Sequence, residues 1–159
     1  MMVTRLSADA RKMLLTSAAT EASRRGDRRL GTDHLLLGLL HDADSEVARA
    51  VGVDLESARA ASDELDRAAL AAVGVTVTHL GDPPQPVYAR RLPPLTSGAR
   101  AVLKRTIDEM RKTRTQRIEA RHFLLALLAR ESPDPAADLL AALGIDRAQV
   151  RTRLGRSGE

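Results

Sequence analysis

Two patterns of apolar residues alternate along the chain, and each occurs twice. An Ala/Leu-rich amphipathic stretch opens at Ser7 and runs to about residue 24; its twin opens at Thr96 and runs to about residue 113. Ser7 and Thr96 read as side-chain N-caps of these helices. After each comes a shorter, nearly all-apolar stretch, from Thr32 to His41 and from about Glu119 to Arg130. A helix apolar all round is a buried one. Third helices are predicted at about 45–51 and 135–143, the latter with Asp134 as cap and Pro135 at the first helical position. Gly52 and Gly144 are placed to end them in left-handed geometry. Asp54 and Asp146 then cap fourth helices that carry Leu55, Ala58, Ala61 and Leu65, and Val150 and Leu154.

The pairing is a duplication. Gly31-Thr32-Asp33-His34-Leu35-Leu36-Leu37-Gly38-Leu39-Leu40 aligns with Glu119-Ala120-Arg121-His122-Phe123-Leu124-Leu125-Ala126-Leu127-Leu128, and Val51-Gly52-Val53-Asp54 aligns with Leu143-Gly144-Ile145-Asp146. Matches in the same order imply one unit written twice. The expected fold is all-α: two tandem four-helix repeats, about eight helices, related by a pseudo-two-fold axis. Repeat one spans 4–72, a linker 73–94, repeat two 95–154 and a fraying tail 155–159. The linker holds Gly74, Gly81, Pro83, Pro84, Pro86, Pro93 and Pro94, a density no helix interior tolerates. Within it, Val75-Thr76-Val77-Thr78 alternates enough to suggest a small strand pair with Pro86-Val87-Tyr88.

Composition narrows the chemistry. Tyr88 and Phe123 are the only aromatics among 159 residues, so Ala, Leu and Val fill the core. No cysteine is present, which excludes disulfides, thiolate metal sites and cysteine nucleophiles. No apolar run approaches the roughly 20 residues of a membrane span, and a soluble cytoplasmic protein is expected. Charge is uneven: residues 1–75 carry ten Lys/Arg and twelve Asp/Glu, whereas 90–159 carry fifteen and eight. The first helix of the second unit is crowded with Arg100, Lys104, Arg105, Arg111, Lys112, Arg114 and Arg117. A nucleic-acid binder would use such a stripe, but no aromatics interleave it for base stacking, so a solvated face attracting acidic partners is expected. No Gly-x-x-x-x-Gly-Lys-Ser/Thr phosphate loop occurs, and no nucleophile–base–orienter set is visible.

The Gly31–Leu40 block, its second copy and the Leu/Val-Gly-Val/Ile-Asp turns together resemble the Clp N-terminal repeat domain, over about residues 4–154. That module precedes the ATPase rings of ClpA/ClpC-type unfolding machines, here without them. The resemblance implies a non-catalytic module, with no cofactor, that captures substrate or adaptor proteins for a Clp ATPase. It further implies phosphoarginine binding, one pocket per repeat, and docking of cyclic-peptide antibiotics. A detached copy that sequesters adaptors or antibiotics is the alternative. Neither membrane nor nucleic acid is an expected partner.

On this resemblance, Ser7, Thr32, Asp33 and Thr96 are the phosphoarginine candidates. A guanidinium wants a carboxylate, and a phosphoryl group wants helix N-terminal N–H groups and a hydroxyl. Asp33 equally suits the simpler role of complementing a helix dipole. Arg121 reverses the charge at the equivalent position, so at most one pocket of the family type is expected. The cyclic-peptide groove maps to Met2, Val3, Arg11, Met13, Leu14, Pro94, Leu95, Arg100 and Leu103, although Leu14 and Leu103 also read as core. His34 and His122, at equivalent positions, read as satisfied structural histidines. His41 with Asp42 and Asp44 forms a loose metal-like cluster that a helix C-terminus explains equally well, and no metal is expected.

Overall fold

The computed structural model describes residues 2–76 and 92–156, with side chains from residue 10 onward in the first segment. Among the described residues there are eight helices: α1 Met2–Arg25, α2 Thr32–Leu39, α3 Glu46–Val51, α4 Leu55–Ala72, α5 Ser97–Lys112, α6 Ala120–Leu128, α7 Pro135–Ala142 and α8 Arg147–Arg156. No strand occurs among the described residues; one isolated parallel bridge joins Leu30 to Leu95. Val77–Thr78 and Pro86–Tyr88, most of the suggested strand pair, lie outside the described residues, as do His79 and Ser157–Glu159. Val75 and Thr76 form no strand.

Side-chain caps fix most of the boundaries. Ser45, Asp54, Thr96 and Asp134 accept backbone N–H bonds from the first turns of α3, α4, α5 and α7, each contributing about 1 kcal/mol. Asp146 does the same for α8, taking the N–H groups of Ala148 and Gln149. Gly52 and Gly144 sit at φ 76° and 66°, the left-handed geometry their sequence context requires.

Two expected caps are corrected. Helix α1 begins at Met2, so Ser7 lies inside the helix rather than at its start. At α2 the N-cap is Gly31. Thr32 turns its hydroxyl away from its own helix, donating to Asp134 Oδ1 at 2.9 Å and accepting from the Ala136 N–H at 3.1 Å. A polar tie across the molecule outcompetes local capping.

The packing order shows how the repeats interlock. Within each unit the first two helices pair, α1 on α2 and α5 on α6. The third helices cross over: α7 packs on α2 and α4, while α3 packs on α6 and α8. Exchange of the two halves turns each of these contacts into another, as a pseudo-two-fold arrangement demands. The all-apolar helices α2 and α6 form the centre, where Leu35, Leu36, Leu37, Leu124 and Leu127 are fully buried. Gly38 lets α1 approach closely, for a Cβ there would meet the Ala18 backbone N at 3.0 Å.

Candidate functional site

The repeated histidines are structural fasteners. In α2, His34 Nδ1 accepts from the Gly31 N–H at 2.9 Å, so Nε2 carries the proton and donates to Asp27 at 2.7 Å. In α6, His122 Nδ1 accepts from the Glu119 N–H at 2.9 Å, and Nε2 donates to the Thr113 hydroxyl at 2.9 Å. Each ring satisfies an orphan N–H at a helix start and ties back to the turn after the preceding helix. Burial lowers the pKa of His122, helped by the nearby Arg121 charge and opposed by Glu119 and Glu109.

Asp33 sits in a cluster that sequence periodicity did not disclose. Arg25, near the end of α1, donates from Nη1 to Asp33 Oδ2 at 2.6 Å and to the Ser62 hydroxyl at 3.0 Å. The same guanidinium bonds Asp66 and lies 3.4 Å from Asp27. Burial works against the Arg25 charge, but Asp33, Asp27 and Asp66 outweigh it and raise its pKa further. Burial likewise opposes the Asp27 carboxylate, yet the His34 bond and Arg25 hold its pKa below the usual value. Asp66 goes the other way: burial raises its pKa despite Arg25, and Asp27 and Asp33 add to the rise. Asp33, Ser62, Asp66 and Asp138 line one groove, of about 580 Å³, between α4 and α7.

The pseudo-equivalent groove, between α8 and α3, has the opposite character. It encloses about 530 Å³ and is lined by Glu46, Arg49, Ala50, Arg153 and Arg156. Arg121, the counterpart of Asp33, does not offer an open cation: it bonds Glu46 at 3.0 Å and lies 3.2 Å from Glu119.

A third groove, of about 350 Å³, runs along α1. Met13 (71% exposed) and Leu14 form one wall, and Gly38, Leu39, Val47 and Ala120 are among the others. His41 and Asp42 sit at its rim, and His41 Nε2 meets Glu21 Oε1 at 2.8 Å. Glu21 is the most buried acid among the described residues, fully enclosed and held also by Arg59 at 2.6 Å and Arg24 at 3.3 Å. Burial alone would raise its pKa; Arg59, His41 and Arg24 outweigh that and lower it.

The predicted residues are therefore distributed rather than gathered. Thr32 is buried in the tie to Asp134, and Thr96 caps α5. Asp33 faces the α4–α7 groove. Of the predicted cyclic-peptide residues, Met13 and Leu14 share the α1 groove. Arg11, Pro94 and Arg100 are exposed outside its lining, and Leu95 and Leu103 are half-buried against the core. Met2, Val3 and Ser7 belong to α1, but their side chains lie outside the described residues. Of the basic stripe, Arg105 and Lys112 share Glu109 and Arg111 lies 3.9 Å from Asp108, while Arg114 and Arg117 lie beyond the end of α5. Among the described residues, no group of acids and histidines is arranged to hold a metal ion, and no helix is long and apolar enough to cross a membrane.

A duplicated all-helical domain with interlocked halves and open surface grooves defines the class. Residues 5–133 match the family model described as the Clp repeat (R) N-terminal domain, and the chain belongs to that family. It is 30% identical over 142 residues to the chloroplastic chaperone protein ClpC1 of Arabidopsis thaliana, covering 87% of this chain and 14% of that protein. The chloroplastic ClpC2 of Oryza sativa subsp. japonica matches equally, at 30% over 142 residues with the same coverage. The chain thus spans about one seventh of the relatives' length. Among solved structures, the N-terminal domain of the chaperone ClpD from Arabidopsis thaliana superimposes with a TM-score of 0.71 at 20% identity, covering all of this chain and 98% of that one. The Hsp104 N-terminal domain from Candida albicans gives 0.59 at 18%, covering 91% and 86%. These likenesses show that the fold is that of the Clp N-domain.

Proposed function

We propose that this chain is a non-catalytic recognition module that captures peptide segments of substrate or adaptor proteins for a Clp-type ATPase, in the groove beside Met13. One observation carries the reading: a largely exposed methionine stands over a mainly apolar groove formed by α1, α2 and α3. Methionine adapts its shape to varied apolar partners, and burying its side chain contributes roughly 1.5–3 kcal/mol. Family membership supports the same role.

The test is backbone amide mapping of the isotopically labelled chain during titration with an unfolded casein. Shifts centred on Met13, Gly38 and Val47, with weaker binding by Met13→Glu, are expected. Shifts that avoid this groove overturn the assignment. A titration with a cyclic peptide asks whether Met13 and Leu14 extend to the wider surface reaching Arg11, Arg100 and Leu103.

A finer reading places a phosphoarginine at Asp33. Its support is that Asp33, with Asp27 and Asp66, already holds a guanidinium, that of Arg25. A ligand guanidinium would have to displace Arg25. Titration with free phosphoarginine decides: an affinity unchanged by Asp33→Ala ends this reading and leaves the Met13 groove untouched.

A further inference from the structure

We infer that the groove between α3 and α8 docks an acidic peptide segment, a surface apart from both the Met13 groove and the Asp33 cluster and dependent on neither. Its lining holds three arginines and one acid. Arg49 and Arg156 are exposed and form no ion pair among the described residues. Arg153 donates from Nη1 to the Ala50 carbonyl at 2.9 Å, which anchors its guanidinium beside the end of α3. Glu46 bonds Arg121 through Oε2 alone, and its Oε1 is buried without a partner.

The neighbouring arginines sharpen the assignment by their difference. Arg147 and Arg151 of the same helix reach back to carbonyls at the end of α6, Arg147 to Leu128 at 3.1 Å and Arg151 to Leu128 at 3.0 Å. They cap a helix terminus. Arg49 and Arg156 instead face an open depression, with Arg153 held on the Ala50 carbonyl at its edge. Guanidinium groups bind carboxylates through paired, charge-assisted hydrogen bonds, and a concave wall with an excess of positive charge attracts the opposite charge. The sister groove, lined by Asp33, Asp66 and Asp138, repels the same ligand.

A peptide fits better than a nucleic acid. Glu46 stands on the same wall, where a phosphodiester chain must place another negative charge, whereas a peptide can place neutral backbone. The lining contains no aromatic side chain on which a base would stack.

The experiment is fluorescence anisotropy with a fluorescein-labelled peptide of alternating Glu and Ala, its Gln-for-Glu counterpart, and single-stranded oligothymidylate of equal length. The Glu peptide should bind, the Gln peptide should not, and added salt should weaken binding. Arg49→Glu combined with Arg156→Glu should lower affinity about tenfold or more, while Arg105→Glu on α5 leaves it unchanged. If the double reversal disturbs the helical circular dichroism, Arg49→Gln with Arg156→Gln keeps the fold and still weakens binding. Four results overturn the inference: no binding at low salt, an equal loss in Arg105→Glu, tighter binding of oligothymidylate, or light scattering showing a dimer that buries the groove.

Discussion

The grooves α4–α7 and α8–α3 occupy pseudo-equivalent places, yet one is walled by Asp33, Asp66 and Asp138 and the other by Arg49, Arg153 and Arg156. The fastenings at the helix ends beneath them repeat. His34 and His122 make the same bond to the N-cap backbone at the same distance. Gly52 and Gly144 take the same left-handed turn. Positions that satisfy buried polar groups are held by the cost of leaving them unsatisfied, while groove walls in contact with water are free to change sign. Duplication thus preserved a scaffold and released two surfaces from each other.

The comparison is broken most severely at Glu21. Its counterpart by the spacing that relates the histidines is Glu109, 12% exposed, whose partners Arg105 and Lys112 are themselves 49% and 64% exposed. Glu21→Leu leaves Arg59, Arg24 and His41 without their shared acceptor and should cost about 3 kcal/mol in chemical denaturation. Glu109→Leu should cost less than about 1 kcal/mol. Equal losses at the two positions would mean that burial of the acid is not what distinguishes the halves.

The next effect tests the close approach of α1 to α2. Gly38→Val drives side-chain atoms into the Ala18 backbone and should cost about 2 kcal/mol. Ala126, at the equivalent place on α6, already accommodates a Cβ. Ala126→Gly should lose about 1 kcal/mol through helix propensity and a small void.

Acid titration separates the halves in pH. The folded-state pKa of His122 is lowered, so below about 6.5 the unfolded chain binds the proton more readily. Its contribution is complete above that pH and is lost as pH falls through the lowered value. The melting temperature should therefore fall between neutral pH and mild acid, and less so in His122→Gln. Glu21 and Asp27, also lowered, add a second decline below the ordinary carboxylate range, and the raised Asp66 partly offsets it. A variant whose melting temperature falls as steeply as that of the parent removes His122 from the account.

The smallest effect belongs to Arg121→Ala. The pair with Glu46 is partly exposed, so the loss should be about 0.5 kcal/mol, measured against Glu46→Ala and the double variant. A coupling energy near zero would show that this cross-repeat ion pair is incidental.

Fold and site differed in how far they could be read from sequence. Caps such as Asp54 and Asp134 act within three residues of themselves, so a local pattern reveals them. The histidines were legible because the repeat prints them twice. Thr32 has the residue type and place of a cap, but its partner Asp134 lies 102 residues away. The Arg25 and Glu21 clusters escaped for the same reason: their partners on α4 are 37 to 41 residues distant, and no periodicity records such pairs. Met13 and Leu14 share a groove with α2, α3 and Ala120, residues far along the chain that no local pattern gathers.

The crossing of α3 and α7 means that neither half is self-sufficient: each leaves a seat that only the other can fill. An isolated half should find its missing piece in a second copy of itself. Two fragments severed between α4 and α5 should still rejoin when mixed.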